Sequence, residues 1–178
     1  MEFKSLLMNK EAVERTLMRM AHEIIENNHG IDNLCLVGIK TRGIPLAQRV
    51  AINIEKITGV KLNVGTLDIN LYRDDLVQQS IDPILNATDI PFSIVKKHVV
   101  LIDDVIYTGR TVRAAMDALF ALGRADKIRL MVLIDRGHRE LPIRADFVGK
   151  NIPTSSSEMI AVNLEETDGS TGVSLFQI

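Results

Sequence analysis

Apolar residues recur at spacings of three and four from Val13 through Leu17 and Met20 to Ile24, the pattern of one buried helix face. Asn9 stands where a side chain can cap the first turn, and Asn27, Asn28 and Gly30 break the pattern, so a helix is predicted from about Asn9 to Asn28. The run from Leu34 to Lys40 is almost continuously apolar, as suits a strand covered on both faces. Helical spacing returns from Ile44 to Thr58, with Pro45 in the first turn and Gly59 just past the end. Leu62 to Ile69 reads as extended, and Val99 to Asp103 is the most β-like run of all. Arg110 to Leu122, closed by Gly123, is a third helix, and Ile128 to Ile134 a further strand. Strands alternating with helices of this length imply βαβ units, hence an α/β fold with a mainly parallel sheet flanked by helices.

Two regions interrupt the alternation. Leu71 to Phe92 is polar without period, a long loop with room for one short hairpin, and loops of that length in compact domains usually serve function. Arg136 to Ser157 is polar and proline-bearing. It is followed by short strands at Ile160 to Leu164 and Val173 to Ile178 around the turn Asp168-Gly169-Ser170, so residues 136–178 are expected to form a small irregular hood within a single domain spanning 1–178.

Composition narrows the classes. With 178 residues the chain is about one domain long, and its formal charge of −2 excludes a wholesale nucleic-acid coat, so any nucleic-acid site must be local. No apolar run approaches the roughly 18 to 20 residues that span a bilayer, and Met1-Glu2-Phe3-Lys4 does not open a signal peptide; the expectation is a cytoplasmic protein with no membrane partner. Cys35, alone in an apolar run, reads as a buried structural thiol. His22, His29 and His98 have no ligand spacing, and no Cys/His cluster offers a protein-held metal site.

The chemistry concentrates in Val99-Val100-Leu101-Ile102-Asp103-Asp104-Val105-Ile106-Tyr107-Thr108-Gly109-Arg110-Thr111. A buried strand delivers two adjacent carboxylates to its end, and a tight loop then opens a helix, whose free N–H groups with Thr108, Gly109 and Thr111 form a phosphate cradle. Carboxylates repel phosphate, so Asp103 and Asp104 must serve sugar hydroxyls or a divalent cation on the same ligand. A phosphorylated ribose carries both functions. An acidic helix-start box is the plainer reading of the two aspartates alone; neither the dinucleotide fingerprint nor the P-loop occurs. Lys40-Thr41-Arg42-Gly43 follows the first strand at the same sheet edge, where two cations and backbone N–H groups can grip pyrophosphate, the alternative being a solvated turn. Arg73 in the long loop is a candidate clamp on a closing lid, or else an ion-pair partner of Asp74 or Asp75.

The stretch from Val99 to Thr111 resembles the phosphoribosyl pyrophosphate (PRPP) motif of type I phosphoribosyltransferases. Gly38-Ile39-Lys40-Thr41-Arg42-Gly43, Tyr72-Arg73-Asp74-Asp75, the run from Asp135 to Arg144 and Asn151-Ile152-Pro153-Thr154-Ser155 narrow the likeness to the bifunctional pyrimidine operon regulatory protein/uracil phosphoribosyltransferase family, over nearly the whole chain. Met18 and Ser156 depart from that family's usual residues, and both lie near its expected RNA face. The resemblance implies that uracil and PRPP give UMP and pyrophosphate, with Mg²⁺ on the pyrophosphate. Asp103 and Asp104 would hold the ribose hydroxyls, with Arg73 beside them in catalysis, and Thr108 to Thr111 the 5′-phosphate. Lys40 to Gly43, with a non-proline cis peptide, would hold the leaving group, together with Asp135 and Arg136. Backbone groups near Met159 and Ile160 would meet the base, although both residues also read as plain core.

The same resemblance implies uridine-nucleotide-dependent control of a pyrimidine operon by transcription attenuation, UMP or UTP promoting binding to a leader mRNA stem-loop. Its RNA face would comprise Arg19 and His22 on the first helix with His138, Arg139, Arg144 and Lys150, although the run Arg136, His138, Arg139, Arg144 and Lys150 on charge alone reads as a solvated loop. Phe147 is the only aromatic in that segment, so recognition would run through phosphates, 2′-hydroxyls and base edges of a folded hairpin. The segment is distant in sequence from the phosphate cradle, and variants in it are expected to separate RNA binding from turnover. A homodimer or larger homo-oligomer, with the apolar first helix as a possible interface, would join two patches. The alternatives are a phosphoribosyltransferase without an RNA role, acting on a purine base in one version, and a regulator that binds PRPP or nucleotide without turnover.

Overall fold

The computed structural model describes residues 1–70 and 88–178. The element order is β1 (Glu2–Met8), α1 (Lys10–Asn27), β2 (Leu34–Ile39), α2 (Gly43–Thr58), β3 (Asn63–Leu67), β4 (His98–Ile106), α3 (Arg110–Leu122), β5 (Lys127–Asp135), β6 (Phe147–Asn151), β7 (Glu158–Asn163), α4 (Glu165–Asp168) and β8 (Gly172–Gln177). Five strands form a parallel sheet in the order β3-β2-β4-β5-β6. Alternate residues of β4 go to opposite faces, as the period of a strand requires. Val100 and Ile102 pack with Leu17 and Ile24 of α1 and Val50 and Ile54 of α2, while Val99 and Leu101 pack with Val112 and Leu119 of α3. Both faces are therefore covered, which explains the near-continuous apolar strands.

Local signals place the helices well. The Asn9 side chain accepts a hydrogen bond from the Ala12 N–H at 2.9 Å and starts α1, and Gly59 ends α2 at φ 75°, a left-handed conformation that suits glycine. Cys35 is buried, and burial pushes its thiol up to about 11.

Three expectations are corrected. The C-terminal region is not irregular: β7 and β8 pair antiparallel, and β8 pairs in turn with β1, an N-terminal strand that sequence pattern did not reveal. Irregular register between Phe3 and Ser5 and between Leu6 and Met8 breaks the two-residue period in β1, leaving Phe3 and Leu6 exposed. The hood therefore comprises residues 2–8 and 158–177, not 136–178, because 147–151 extend the central sheet as β6. The apolar face of α1 is consumed by its own core, since Val13, Leu17, Met20, Ala21 and Ile24 are all buried, and is not free to serve as an interface. The hood shares that core through Ile160, Val162 and Val173. Arg73 and residues 71–87 of the loop expected from Leu71 to Phe92 lie outside the described residues.

The sheet's tightest crossing is at Gly43. A Cβ on Gly43 would sit 2.3 Å from the carbonyl oxygen of Ile102, and one on Gly38 2.5 Å from that of Gly43. Backbone cannot yield as a flexible side chain can, so Gly43→Ala should lower the unfolding free energy by at least about 3 kcal/mol. Urea denaturation against the parent chain measures it; an unchanged midpoint would mean that the crossing has slack.

Candidate functional site

Strand β4 is paired on one side with β2 only as far as Ile102, opposite Gly38, but on the other with β5 as far as Ile106, opposite Asp135. From Asp103 onward one flank is open, and the loop 40–43 turns across that gap. The strand runs three residues further than expected, so the carboxylates lie inside it and not at a solvated end. Asp103 is 7 % exposed. Its Oδ1 accepts from the Asp104 N–H at 2.9 Å, and Asp104 Oδ1 accepts from the Val105 N–H at 2.9 Å. Burial pushes the Asp104 carboxyl above the usual carboxylate range, while hydrogen bonding with Asp103 and Val105 and the positive charge of Arg42 pull the other way. Val99, Val100, Leu101 and Ile102 are core, so within the motif only the later residues can touch a ligand through their side chains.

Gly109 caps α3 at φ 94°, and Thr108 Oγ1 accepts from the Arg110 N–H at 3.3 Å. Residues 105–112 and Glu140 line a cleft of about 400 Å³ at this helix start. The segment after β5 grips the turn. The Thr108 carbonyl accepts from the N–H groups of Glu140 (2.9 Å) and Leu141 (3.2 Å), and Glu140 pairs with Arg110 at 2.8 Å. The Arg136 guanidinium lies 4.0 Å over the Tyr107 ring, a cation–π contact.

Opposite the cradle, the Lys40–Thr41 peptide is cis. Lys40 pairs with Asp68 at 3.3 Å. Arg42 donates from Nε (3.1 Å) and Nη2 (2.7 Å) to the two carboxylate oxygens of Asp168 in α4. That fork, the Leu164 N–H and the Thr167 hydroxyl hold the Asp168 carboxyl well below the usual range. Asp168 is a site-edge residue that sequence reasoning missed: it read as part of a turn, and nothing local pairs it with a residue 126 positions earlier.

Arg136 is 8 % exposed and bridges to the hood, donating from Nη2 to the Glu158 carbonyl at 2.7 Å and from Nε to Thr154 Oγ1 at 3.1 Å. Asp135 Oδ1 accepts from the Gly137 N–H at 3.0 Å. Met159 is half-buried beside this bridge, whereas the Ile160 side chain belongs to the core.

The basic residues expected on an RNA face divide into two groups. Arg19 and Lys150 line a groove of about 320 Å³ with exposed Arg15, and His22 is exposed one turn further along α1. Arg19 also donates to the Gly149 carbonyl at 2.6 Å and pairs with Glu23. Arg139 is instead turned inward: it donates to the carbonyls of Ile143 (2.9 Å) and Tyr107 (3.0 Å) and pairs with Asp135. His138 is hydrogen-bonded to the Thr154 carbonyl, and Arg144 is exposed. The segment far from the cradle in sequence thus packs on it in space through Arg139, while Arg144 and Lys150 stay exposed.

Comparison with known proteins agrees with this geometry. Residues 5–167 match the family described as phosphoribosyl transferase domain. The chain is 58 % identical over 178 residues to proteins named bifunctional protein PyrR from Bacillus mycoides and Bacillus anthracis, covering 99 % of each chain. A hypoxanthine phosphoribosyltransferase of Staphylococcus aureus superposes with a TM-score of 0.74 at 20 % identity, covering 99 % of this chain and 93 % of that one. That of Trypanosoma cruzi does so at 0.76 and 17 %, covering 98 % and 97 %.

A carboxyl whose folded pKa is raised costs stability as pH climbs out of the unfolded carboxylate range, and costs it in full above the folded value. Asp104→Asn keeps an acceptor for the Val105 N–H and removes the buried charge. The variant should melt higher than the parent near pH 8, with the gain vanishing below about pH 4. Thermal melts across that interval check the sign, and a variant less stable at pH 8 would contradict it.

Proposed function

This chain belongs to the phosphoribosyl transferase family and, within it, to the bifunctional PyrR proteins, and on that premise we propose that it converts uracil and PRPP to UMP and pyrophosphate and binds pyrimidine-operon leader RNA. The observation that carries the enzymatic reading is the open flank of β4. It sets two carboxylates, a helix-start phosphate cradle and the Lys40–Gly43 loop around one gap. A sugar phosphate activated at its anomeric carbon has matching parts: a 5′-phosphate, a diol and a pyrophosphate.

In the proposed reaction, uracil N1 bonds to the anomeric carbon as the bond to pyrophosphate breaks, and the N1 proton passes to an oxygen of the departing pyrophosphate. Positive charge builds on the ribose. Asp103 and Asp104 hold the ribose hydroxyls and face that charge with carboxylates already in place, which avoids reorganisation during the step. Backbone N–H groups and hydroxyls from Thr108 to Thr111 fix the 5′-phosphate, so that the reacting carbon is held against the base. Lys40, Thr41, Arg42 and Gly43 receive the leaving pyrophosphate with Arg73 as the clamp, whereas Asp135 and Arg136, first expected beside them, lie along the other flank of β4 and serve the hood instead. Arg136, through Glu158, sets the hood backbone near Met159 and Ile160 over the base. Mg²⁺, when bound, neutralises charge on the diphosphate. Among the described residues no cluster of three or more His, Cys, Asp or Glu side chains could hold a metal. Asp103 and Asp104, hard oxygen donors beside the diol, are the residues that would hold the ion when it arrives with PRPP.

The RNA role rests on the groove flanked by Arg15, Arg19 and Lys150, with His22 exposed one turn further along α1 and Arg144 exposed in the segment before β6. UMP or UTP in the cleft would order the 107–110 turn, and through it the 136–143 segment that grips that turn. Coupling of that kind is reciprocal, so RNA should in turn tighten nucleotide binding. A homodimer or larger assembly would join two such patches. No helix among the described residues is long and apolar enough to cross a membrane.

Asp103→Asn and Asp104→Asn should each lower turnover with uracil by at least about a hundredfold, roughly 2.7 kcal/mol of transition-state stabilisation, while far-ultraviolet circular dichroism stays unchanged. Steady-state rates with uracil, hypoxanthine and guanine decide both the site and the base; faster turnover of a purine would overturn the uracil assignment.

Lys150→Ala and Arg144→Ala should weaken binding of leader RNA but leave uracil turnover within about twofold. Each lost phosphate contact should flatten the slope of log affinity against log salt by somewhat under one unit. Gel shifts at several salt concentrations, with and without UMP, provide the measurement. Equal RNA affinity in both variants and the parent would place the RNA face elsewhere.

A further inference from the structure

Resting on the reading of residues 40–43 as the pyrophosphate loop, we infer that Asp168 is a positioning residue for the reaction, holding the Arg42 guanidinium where its free edge can meet the leaving pyrophosphate. Arg42 stands at the N-cap of α2 without a side-chain cap bond, and its charge is felt by Asp104 across the site. An arginine at the end of a loop carries rotamer freedom that a ligand would have to freeze on binding. Here the two-point fork on Asp168 freezes it beforehand. The fork uses the Nε edge and one Nη2 hydrogen, so Nη1 and the outer Nη2 hydrogen remain to donate to a phosphate.

The carboxylate is itself built for this task. Asp168 accepts from the Leu164 N–H at 2.9 Å and from the Thr167 hydroxyl at 2.7 Å as well as from Arg42, which fixes both oxygens. These bonds favour its ionised form, so the grip on Arg42 persists throughout the neutral range. In the same turn Glu166 forks onto Arg49 of α2 at 2.8 and 2.6 Å. Arg49 lies two helical turns beyond Arg42 and outside the site. The two pairs are alike in chemistry and differ in what they hold, so one serves as the control for the other.

Positioning and competition predict opposite signs. Were Asp168 merely to park Arg42 away from the ligand, releasing it would tighten PRPP; if Asp168 aims Arg42, releasing it loosens PRPP. Asp168→Asn should raise the KM for PRPP about tenfold with kcat within about twofold, the split expected when binding common to ground and transition states is lost. Affinity for UMP, which has no pyrophosphate, should not change. Glu166→Gln should leave all three values at the parent's. Calorimetric titration of PRPP with Mg²⁺ reads the same loss without turnover, so a failure to convert uracil would sink the proposed reaction while leaving this test intact. An unchanged or lowered KM for PRPP in Asp168→Asn, or an equal rise in Glu166→Gln, overturns the inference. If Asp168→Asn does not fold, Asp168→Glu keeps the charge but shifts the fork by one methylene; it should show a smaller rise of the same kind, and parent values for it overturn the inference.

Discussion

The loop after β2 crosses β4 at backbone contact, Gly43 against the Ile102 carbonyl, and the rest of the site follows from that closeness. Because β2 stops pairing at Ile102, the flank of β4 from Asp103 onward has no strand beside it, and the loop 40–43 occupies the space instead. A side chain at either Gly38 or Gly43 would push the loop outward, away from Asp103 and Asp104. Two glycines therefore let the loop 40–43, the paired aspartates and the start of α3 share one gap.

Closeness also sets the electrostatics. Burial raises the pKa of Asp104, and the Arg42 charge offsets part of that cost. Arg42 is in turn held by Asp168 on the hood. The row Asp168–Arg42–Asp104 links hood, loop and sheet through alternating charges, and it stands where stability is given up for function, as is common when ionisable groups are assembled in a partly dry cleft.

The hood is joined to the body by chemistry as well as by shared core. Arg136 stacks on Tyr107 of the phosphate turn and bonds to the Glu158 backbone, and Arg139 ties Tyr107 to Asp135. A ligand that orders the turn therefore bears directly on the segment leading to Arg144 and Lys150.

Elements defined by near neighbours in the chain were legible from the sequence. The three long helices have apolar stripes and their own caps at Asn9, Gly59 and Gly109, and β2, β4 and β5 are buried on both faces, so their runs of apolar residues identify them. The paired aspartates and the glycine turn after them also lie within one short stretch, where residue type and spacing already imply sugar and phosphate. Features made by residues far apart were not legible. Strand β1 has a broken alternation and exists because β8 pairs with it, and β6 leaves the supposed hood because β5 offers it an edge. Arg139 and Asp168 looked like residues of a solvated loop and a turn. Their partners, Tyr107 and Arg42, are brought to them by the fold alone, and a charged side chain carries no local mark of the distant group that will hold it.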